Sequence, residues 1–305
     1  MTLRLVVERM AHGGWAVARL DGRVVFVEGA YPGETVSAEI TGTARRYLEA
    51  KTVAIEAPSP SRVEPPCSHF GICGGCQWQS AGYAAQIEWK RSILVDQLTH
   101  LARMPDVAVR KTIAPGSPYG YRNRMDFRLV GGRPALSRLA SHELVEITFC
   151  HLMAPPLVAL FNELPVRPER SRVTIRAGLG TGESVTIFDR ENGVLHERVD
   201  GVVSRITGPA FFQNNTAGAE ALVGLVKEAL NPNDGDVLVD GYAGGGLFSA
   251  TVGRACRQVI GVESDRIAAS DYEVNTGRPS LRISFETAGS RLPPRVDLVV
   301  VDPPR

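Results

Sequence analysis

No apolar run in these 305 residues approaches the roughly 20 that a membrane-spanning helix needs. Arg4, Glu8 and Arg9 interrupt the amino-terminal stretch where a secretory leader would carry its apolar core. A cytoplasmic location is therefore expected. Net charge is only +1, so the field of the whole molecule does not announce a nucleic-acid binder. Lysine is scarce, four residues against thirty arginines, a bias that suits forked contacts to phosphate and also follows from base composition. No phosphate-binding Gly-x-Gly-x-x-Gly stands in register, and the five cysteines do not show the paired spacing of a zinc ribbon.

What is present is unevenly placed. With 305 residues the chain is long enough for about two domains, and 44% hydrophobic content can fill real cores. Trp89 to Arg138 carries ten basic residues against three acidic, a net of +7, whereas Asn231 to Arg305 carries eight against ten. A basic centre beside a mildly acidic carboxyl-terminal part fits a phosphate-binding face joined to a small-molecule pocket, with a solvated helix face as the plain alternative.

Residues 1–57 read as five short strands, Leu3 to Val7, Trp15 to Leu20, Val24 to Val27, Thr35 to Ile40 and Lys51 to Ile55, separated by glycine turns. So many strands in so short a stretch predict a small closed barrel of the OB type. Its charges balance at seven each, so any RNA contact must come from one face, with Arg45 and Arg46 the candidates, and a purely structural barrel fits as well. Proline and serine from Pro58 to Pro66 mark a boundary. Residues 58–207 then predict a helix from Tyr83 to Leu101, with Ile87, Ile93, Leu94 and Leu98 at helical spacing. Strands are expected at Tyr121 to Val130, Leu144 to Ile147, Val173 to Arg176 and Ser184 to Phe188, forming an antiparallel sheet on which Arg122 and Arg124 are further RNA-contact candidates. Residues 208–305 alternate helix and strand: helices at Ala219 to Leu230, Leu247 to Ala255 and Ile267 to Asn275, strands at Val237 to Asp240, Val259 to Glu263, Leu281 to Glu286 and Val296 to Asp302. That alternation predicts an α/β fold with a parallel sheet covered on both faces.

Cys67, Cys73 and Cys76 lie five and two residues apart, and Cys150 follows after seventy-three more. Three close thiolates and a distant one can hold a four-coordinate centre, and Gly74 and Gly75 let the backbone fold around it. An iron–sulfur cluster fits this spacing better than zinc; a redox dithiol or buried free cysteines are the other readings. Asp240-Gly-Tyr242-Ala-Gly244-Gly-Gly246 closes one strand, and Glu263 closes the next, twenty-three residues later. Glycines let backbone approach a ligand while an acid at the neighbouring strand tip accepts ribose hydroxyls, which suits a dinucleotide or S-adenosylmethionine.

Pro58-Ser-Pro-Ser through Cys67, Cys73-Gly-Gly-Cys76-Gln-Trp-Gln and Tyr83 to Lys90 resemble the cluster segment of RNA 5-methyluridine methyltransferases, in their iron–sulfur branch, and the resemblance runs the length of the chain. Ser80 stands where that family often has histidine. The first stretch resembles the TRAM domain, a small RNA-binding barrel. The resemblance implies a Rossmann-like class I methyltransferase domain binding S-adenosylmethionine through Gln213, Asp240, Tyr242, Gly244, Gly246, Glu263 and Asp302, with Gln213, in Phe211-Phe-Gln-Asn-Asn215, at the methionine end. It implies a 4Fe-4S cluster on Cys67, Cys73, Cys76 and Cys150, of structural role. Asp302-Pro-Pro-Arg305 resembles the segment in which acid and arginine organise the active site and the target uridine. Gly241 and Gly289 depart from the family, the first from a bulky apolar residue and the second from an acid near adenine.

The implied activity is methylation of carbon 5 of a uridine in RNA, ribosomal RNA in preference to transfer RNA, by a monomer. In the family a cysteine adds to carbon 6 and a glutamate removes the carbon 5 proton, both downstream of Asp-Pro-Pro-Arg. The sequence ends at Arg305, and Cys256 reads as a core residue, so a carboxyl-terminally truncated enzyme, inactive as written, is expected. A non-catalytic RNA-binding iron–sulfur protein and a cluster-based redox sensor are the alternatives.

Overall fold

The structure is a computed structural model that describes residues 2–304. By compactness the chain divides in two: residues 1–114 with 137–145, and 115–136 with 146–305.

In the first unit β1 (Thr2–Met10), β2 (Ala16–Leu20), β3 (Arg23–Glu28), β4 (Thr35–Thr43) and β5 (Tyr47–Ala57) close a barrel in the order β1-β2-β3-β5-β4. All neighbours are antiparallel except β3 and β5, which run parallel. This is the OB arrangement expected from the strand spacing. Alternation drives it: Leu3, Leu5 and Val7 point inward with Val25, Val27, Val36 and Ala38. Helix α1 (Tyr83–His100) shares that core through Trp89, whose ring stacks on Tyr31 at 5.2 Å and meets Trp78 edge-on at 5.8 Å. The inward face is Trp89 with Ile93, and Leu94, expected inside, is 46% exposed. The fully buried Glu34 ties the loop after β3 to the proline-rich segment, accepting from Tyr31 N, Ser59 N and the Arg62 guanidinium. Burial would raise its carboxyl, yet the Arg62 and backbone hydrogen bonds hold it below the usual range.

The second unit contains β6 (Arg124–Val130) and β7 (Arg133–Ser137), and the short β8 (Leu144–Glu146) lies where the chain returns to it. Helix α2 (Pro155–Asn162), β9 (Arg172–Ala177), β10 (Ser184–Phe188), and the hairpin β11 (Val194–Val199) with β12 (Val202–Thr207) follow. The order β10-β9-β6-β7 makes an antiparallel sheet. Next come α3 (Thr216–Leu230), β13 (Val237–Gly241), α4 (Leu247–Thr251), β14 (Gln258–Val262), α5 (Arg266–Thr276), β15 (Ser280–Leu281) and β16 (Leu298–Val301). Their parallel sheet has the order β15-β14-β13-β16.

The three stretches 1–57, 58–207 and 208–305 are not three compact bodies, because residues 58–207 are shared between the two units. Side-chain packing explains this. Leu195, Val199 and Ile206 of the hairpin share a core with Phe212, Val223 of α3 and Phe248 of α4. The strand expected from Leu281 to Glu286 pairs only at Ser280–Leu281 and then turns into a 3-10 turn at Phe285–Thr287, which carries the Phe285 ring inward beside Tyr242, 5.4 Å between centroids. The helix expected to reach Ala255 loosens into a 3-10 turn after Thr251.

Candidate functional site

Strand β13 is the point where the parallel sheet reverses its order, with β14 on one side and β16 on the other. Open α/β sheets bind ligands outside the carboxyl ends of their strands at such a point. The Asp240–Gly246 loop leaves β13 there, Glu263 follows β14, and Asp302 follows β16.

Asp240 is buried, and its Oδ2 accepts from Ser249 N at 3.0 Å and Ser249 Oγ at 2.7 Å, fastening strand tip to α4. Burial pushes its carboxyl up to about 6; the Ser249 hydrogen bonds oppose this, and the charges of Asp302 and Glu263 add to it. Glu263 accepts from Gly244 N at 2.8 Å and from Asp265 N at 2.6 Å, so the acid after β14 holds the glycine loop after β13. Each of its oxygens keeps a further lone pair for a diol. Tyr242 has φ 59°, unusual for a bulky residue, and donates its hydroxyl to Glu286. Gly246 has φ 88°, and a Cβ there would stand 2.9 Å from Tyr272 Cδ2, so neither the turn nor the space admits a side chain. In front of Gly244 a Cβ would meet nothing within 4 Å, which leaves the loop open on that side.

The departure at Gly241 has a physical reason. A Cβ there would lie 2.7 Å from Phe285 Cδ2 and Cε2. The Phe285 ring occupies the space that a bulky residue would fill. Gly289 ends up exposed to open space in a 3-10 turn, with no acid in its place.

Gln213 precedes α3 and is half-buried, and its carbonyl accepts from Asn123 Nδ2 at 2.9 Å. Asn123 also donates to Thr216 Oγ1 at 3.0 Å, and its backbone N–H reaches Asn214 O at 3.0 Å. The segment Asn123 to Arg124 therefore grips the Gln213 loop, a role that sequence reasoning missed because nothing local to Asn123 announces a partner ninety residues on. Arg124 forks onto Asp126 and donates to Ala210 O at 3.1 Å, and the buried Arg176 donates to Gly208 O and Ala210 O. Arg124 is thus engaged inside the unit. Arg122 is half-buried with its Nε lacking a hydrogen-bond partner, whereas Arg45 and Arg46 are exposed between β4 and β5. Asp302 is exposed at the end of β16, and Arg305 lies outside the described residues. Cys256 is packed with Leu238 and Val259, and burial raises its thiol, as suits a core residue and not a nucleophile.

The cysteines expected to hold a cluster are Cys67, Cys73, Cys76 and Cys150. Cys67, Cys73 and Cys76 belong to the first unit and Cys150 to the second. Among the described residues no three His, Cys, Asp or Glu side chains stand together as metal ligands. The turns of the loop give two of the thiols local partners: Gly75 N donates to Cys73 Sγ at 3.4 Å and Gln79 Nε2 to Cys76 Sγ at 3.1 Å.

A family profile described as the TRAM domain matches residues 1–53. An uncharacterised RNA methyltransferase of Gloeobacter violaceus is 30% identical over 100% of this chain and 82% of its own length. One of Streptomyces avermitilis is 31% identical over 97% of this chain and 81% of its own. The crystal structure of the Pyrococcus abyssi tRNA (uracil-54, C5)-methyltransferase in complex with S-adenosyl-L-homocysteine has a TM-score of 0.70, covering 98% of this chain and 83% of that one at 22% identity, a likeness of fold. No helix among the described residues is long and apolar enough to cross a membrane. With a TRAM barrel ahead of a class I methyltransferase sheet, and relatives matched over their greater part, the chain belongs to the family of TRAM-domain RNA methyltransferases.

Proposed function

We propose that this chain binds S-adenosylmethionine at the carboxyl end of β13 and belongs to an enzyme that methylates carbon 5 of uridine in RNA, with ribosomal RNA preferred over transfer RNA. The observation that carries the cofactor assignment is the bond from Gly244 N to Glu263, which joins an open glycine loop to an acid at the next strand tip. Glu263 would take the ribose hydroxyls on its spare lone pairs, and Asp240 would hold the loop from behind through Ser249. Gln213, fixed by Asn123, would face the methionine end, with Tyr242, Gly246 and Asp302 lining the rest. Bound there, the cofactor supplies an electrophilic methyl group.

Uracil carbon 5 is a poor nucleophile until a thiolate adds to carbon 6, and a base must then remove the carbon 5 proton. The resemblance implies this chemistry, and the Pyrococcus abyssi enzyme, named for uracil carbon 5 in tRNA, supports the uracil reading through its fold. The ribosomal preference rests on the resemblance to the barrel-plus-cluster branch. So does the iron–sulfur cluster, through which no step is derived; iron and acid-labile sulfide in anaerobically purified protein would establish it, and absence of both would remove it.

Calorimetric titration with S-adenosylmethionine tests the cofactor site. Glu263→Ala leaves two hydroxyls without their acceptor and is expected to weaken binding by about 1–3 kcal/mol. Equal affinity in the two proteins would falsify the assignment.

A further inference from the structure

The antiparallel sheet carries a groove of about 590 Å³ on the face formed by β6 and β9 and closed by the turn after β10, with Gly208 and Pro209 on its far wall. Arg128 and Arg172 are direct cross-strand partners there, both exposed, and Arg190 lines the same groove. Like charges directly opposite one another destabilise a sheet, so the pair is unfavourable without a counter-charge. The acids of the groove do not supply it. Asp126 is taken by the Arg124 fork and Thr174, while Asp189 and Glu191 are paired with Arg170. Asp189 also accepts from the Arg172 backbone N–H at 3.0 Å, and among the described residues the guanidinium groups of Arg128, Arg172 and Arg190 form no ion pair. Below them the buried Arg176 adds a further positive charge and donates to the Gly208 and Ala210 carbonyls, in the segment that leads to Gln213.

The geometry points to a track for the sugar-phosphate backbone of single-stranded RNA, with Arg128 and Arg172 forking onto one phosphate and Arg190 onto a neighbouring one. Guanidinium forks match phosphate oxygens in pairs, and a phosphate between two opposed arginines relieves their repulsion. The inference rests on the RNA reading above and assigns to three residues a contact that the sequence placed on Arg122 and Arg124.

The test is fluorescence anisotropy of labelled oligouridylate with the full chain across a salt series, comparing the unmutated protein with the triple variants Arg128→Gln/Arg172→Gln/Arg190→Gln and Arg128→Lys/Arg172→Lys/Arg190→Lys. Each phosphate neutralised on a single strand contributes about 0.7 to the slope of log affinity against log salt, so the glutamine variant, which gives up two phosphates, should lose about 1.4 from that slope and about tenfold or more in affinity at low salt. The lysine variant should keep most of the slope and lose affinity, and S-adenosylmethionine affinity should be unchanged in both, which shows the unit still folds. RNA binding with an unchanged slope in the glutamine variant overturns the groove and leaves the proposed function standing. No RNA binding by the unmutated chain overturns both.

Discussion

At the scale of single residues, Asp240 sets a pH dependence. Its carboxyl is raised from 3.8 to about 6, so between those values the folded chain holds more proton than the unfolded one. Its contribution to stability is present below that window and is lost as pH rises through about 6, the reverse of a salt-bridged acid. By the linkage relation the loss is on the order of 3 kcal/mol. Asp240→Asn should therefore gain on the unmutated chain as urea denaturation is moved from pH about 4 to about 7.5, and a difference that does not change with pH would refute the buried-acid account. Gly241 offers a second test. Gly241→Ala forces the Phe285 ring aside and should cost about 1–3 kcal/mol, most of it recovered in Gly241→Ala/Phe285→Leu. No loss in the single variant would mean that the ring does not fill that space.

At the scale of elements, the cofactor segment depends on how its helices begin. Asn215 caps α3, accepting from Gly218 N at 2.9 Å, and Asp265 caps α5, accepting from Ile267 and Ala268 N–H groups. Asp265 also donates its own N–H to Glu263, so one cap links the start of α5 to the acid proposed for the ribose. The entry to α3 is held from another sheet by Asn123. Asn123→Ala removes a buried donor from the Gln213 carbonyl and Thr216, and should lower stability by about 1–3 kcal/mol and weaken S-adenosylmethionine binding. Calorimetry showing unaltered cofactor affinity alongside a normal loss of stability would reduce Asn123 to a purely structural role.

At the scale of the whole molecule, a net charge of +1 hides local basic patches. The exposed Arg45 and Arg46 at the barrel turn are one. Arg45→Ala/Arg46→Ala should reduce the salt slope of oligouridylate binding by about 1.4, two contacts at about 0.7 each. An unaltered slope would make the barrel a structural module.

The sequence by itself determined the barrel, since alternation and glycine turns are local signals and all five strands appear where those signals place them. It also determined the order of helices and strands in the methyltransferase sheet and put Asp240 and Glu263 at strand ends, because buried parallel strands are continuous apolar runs that stop at the sheet's edge. The tertiary structure decided what depends on distant partners. The hairpin β11–β12 and helix α2 went unpredicted, and that hairpin shares its core with α3 and α4, far from it in sequence. Residues 283–286 leave the sheet because the space over Gly241 takes the Phe285 ring. Arg124 looked like a free cation in one dimension, and in three it is bound to Asp126 and Ala210. Spacing shows which guanidinia are near in the chain, but which of them meet a ligand is settled by the partners, near and distant in sequence, that the fold brings to them.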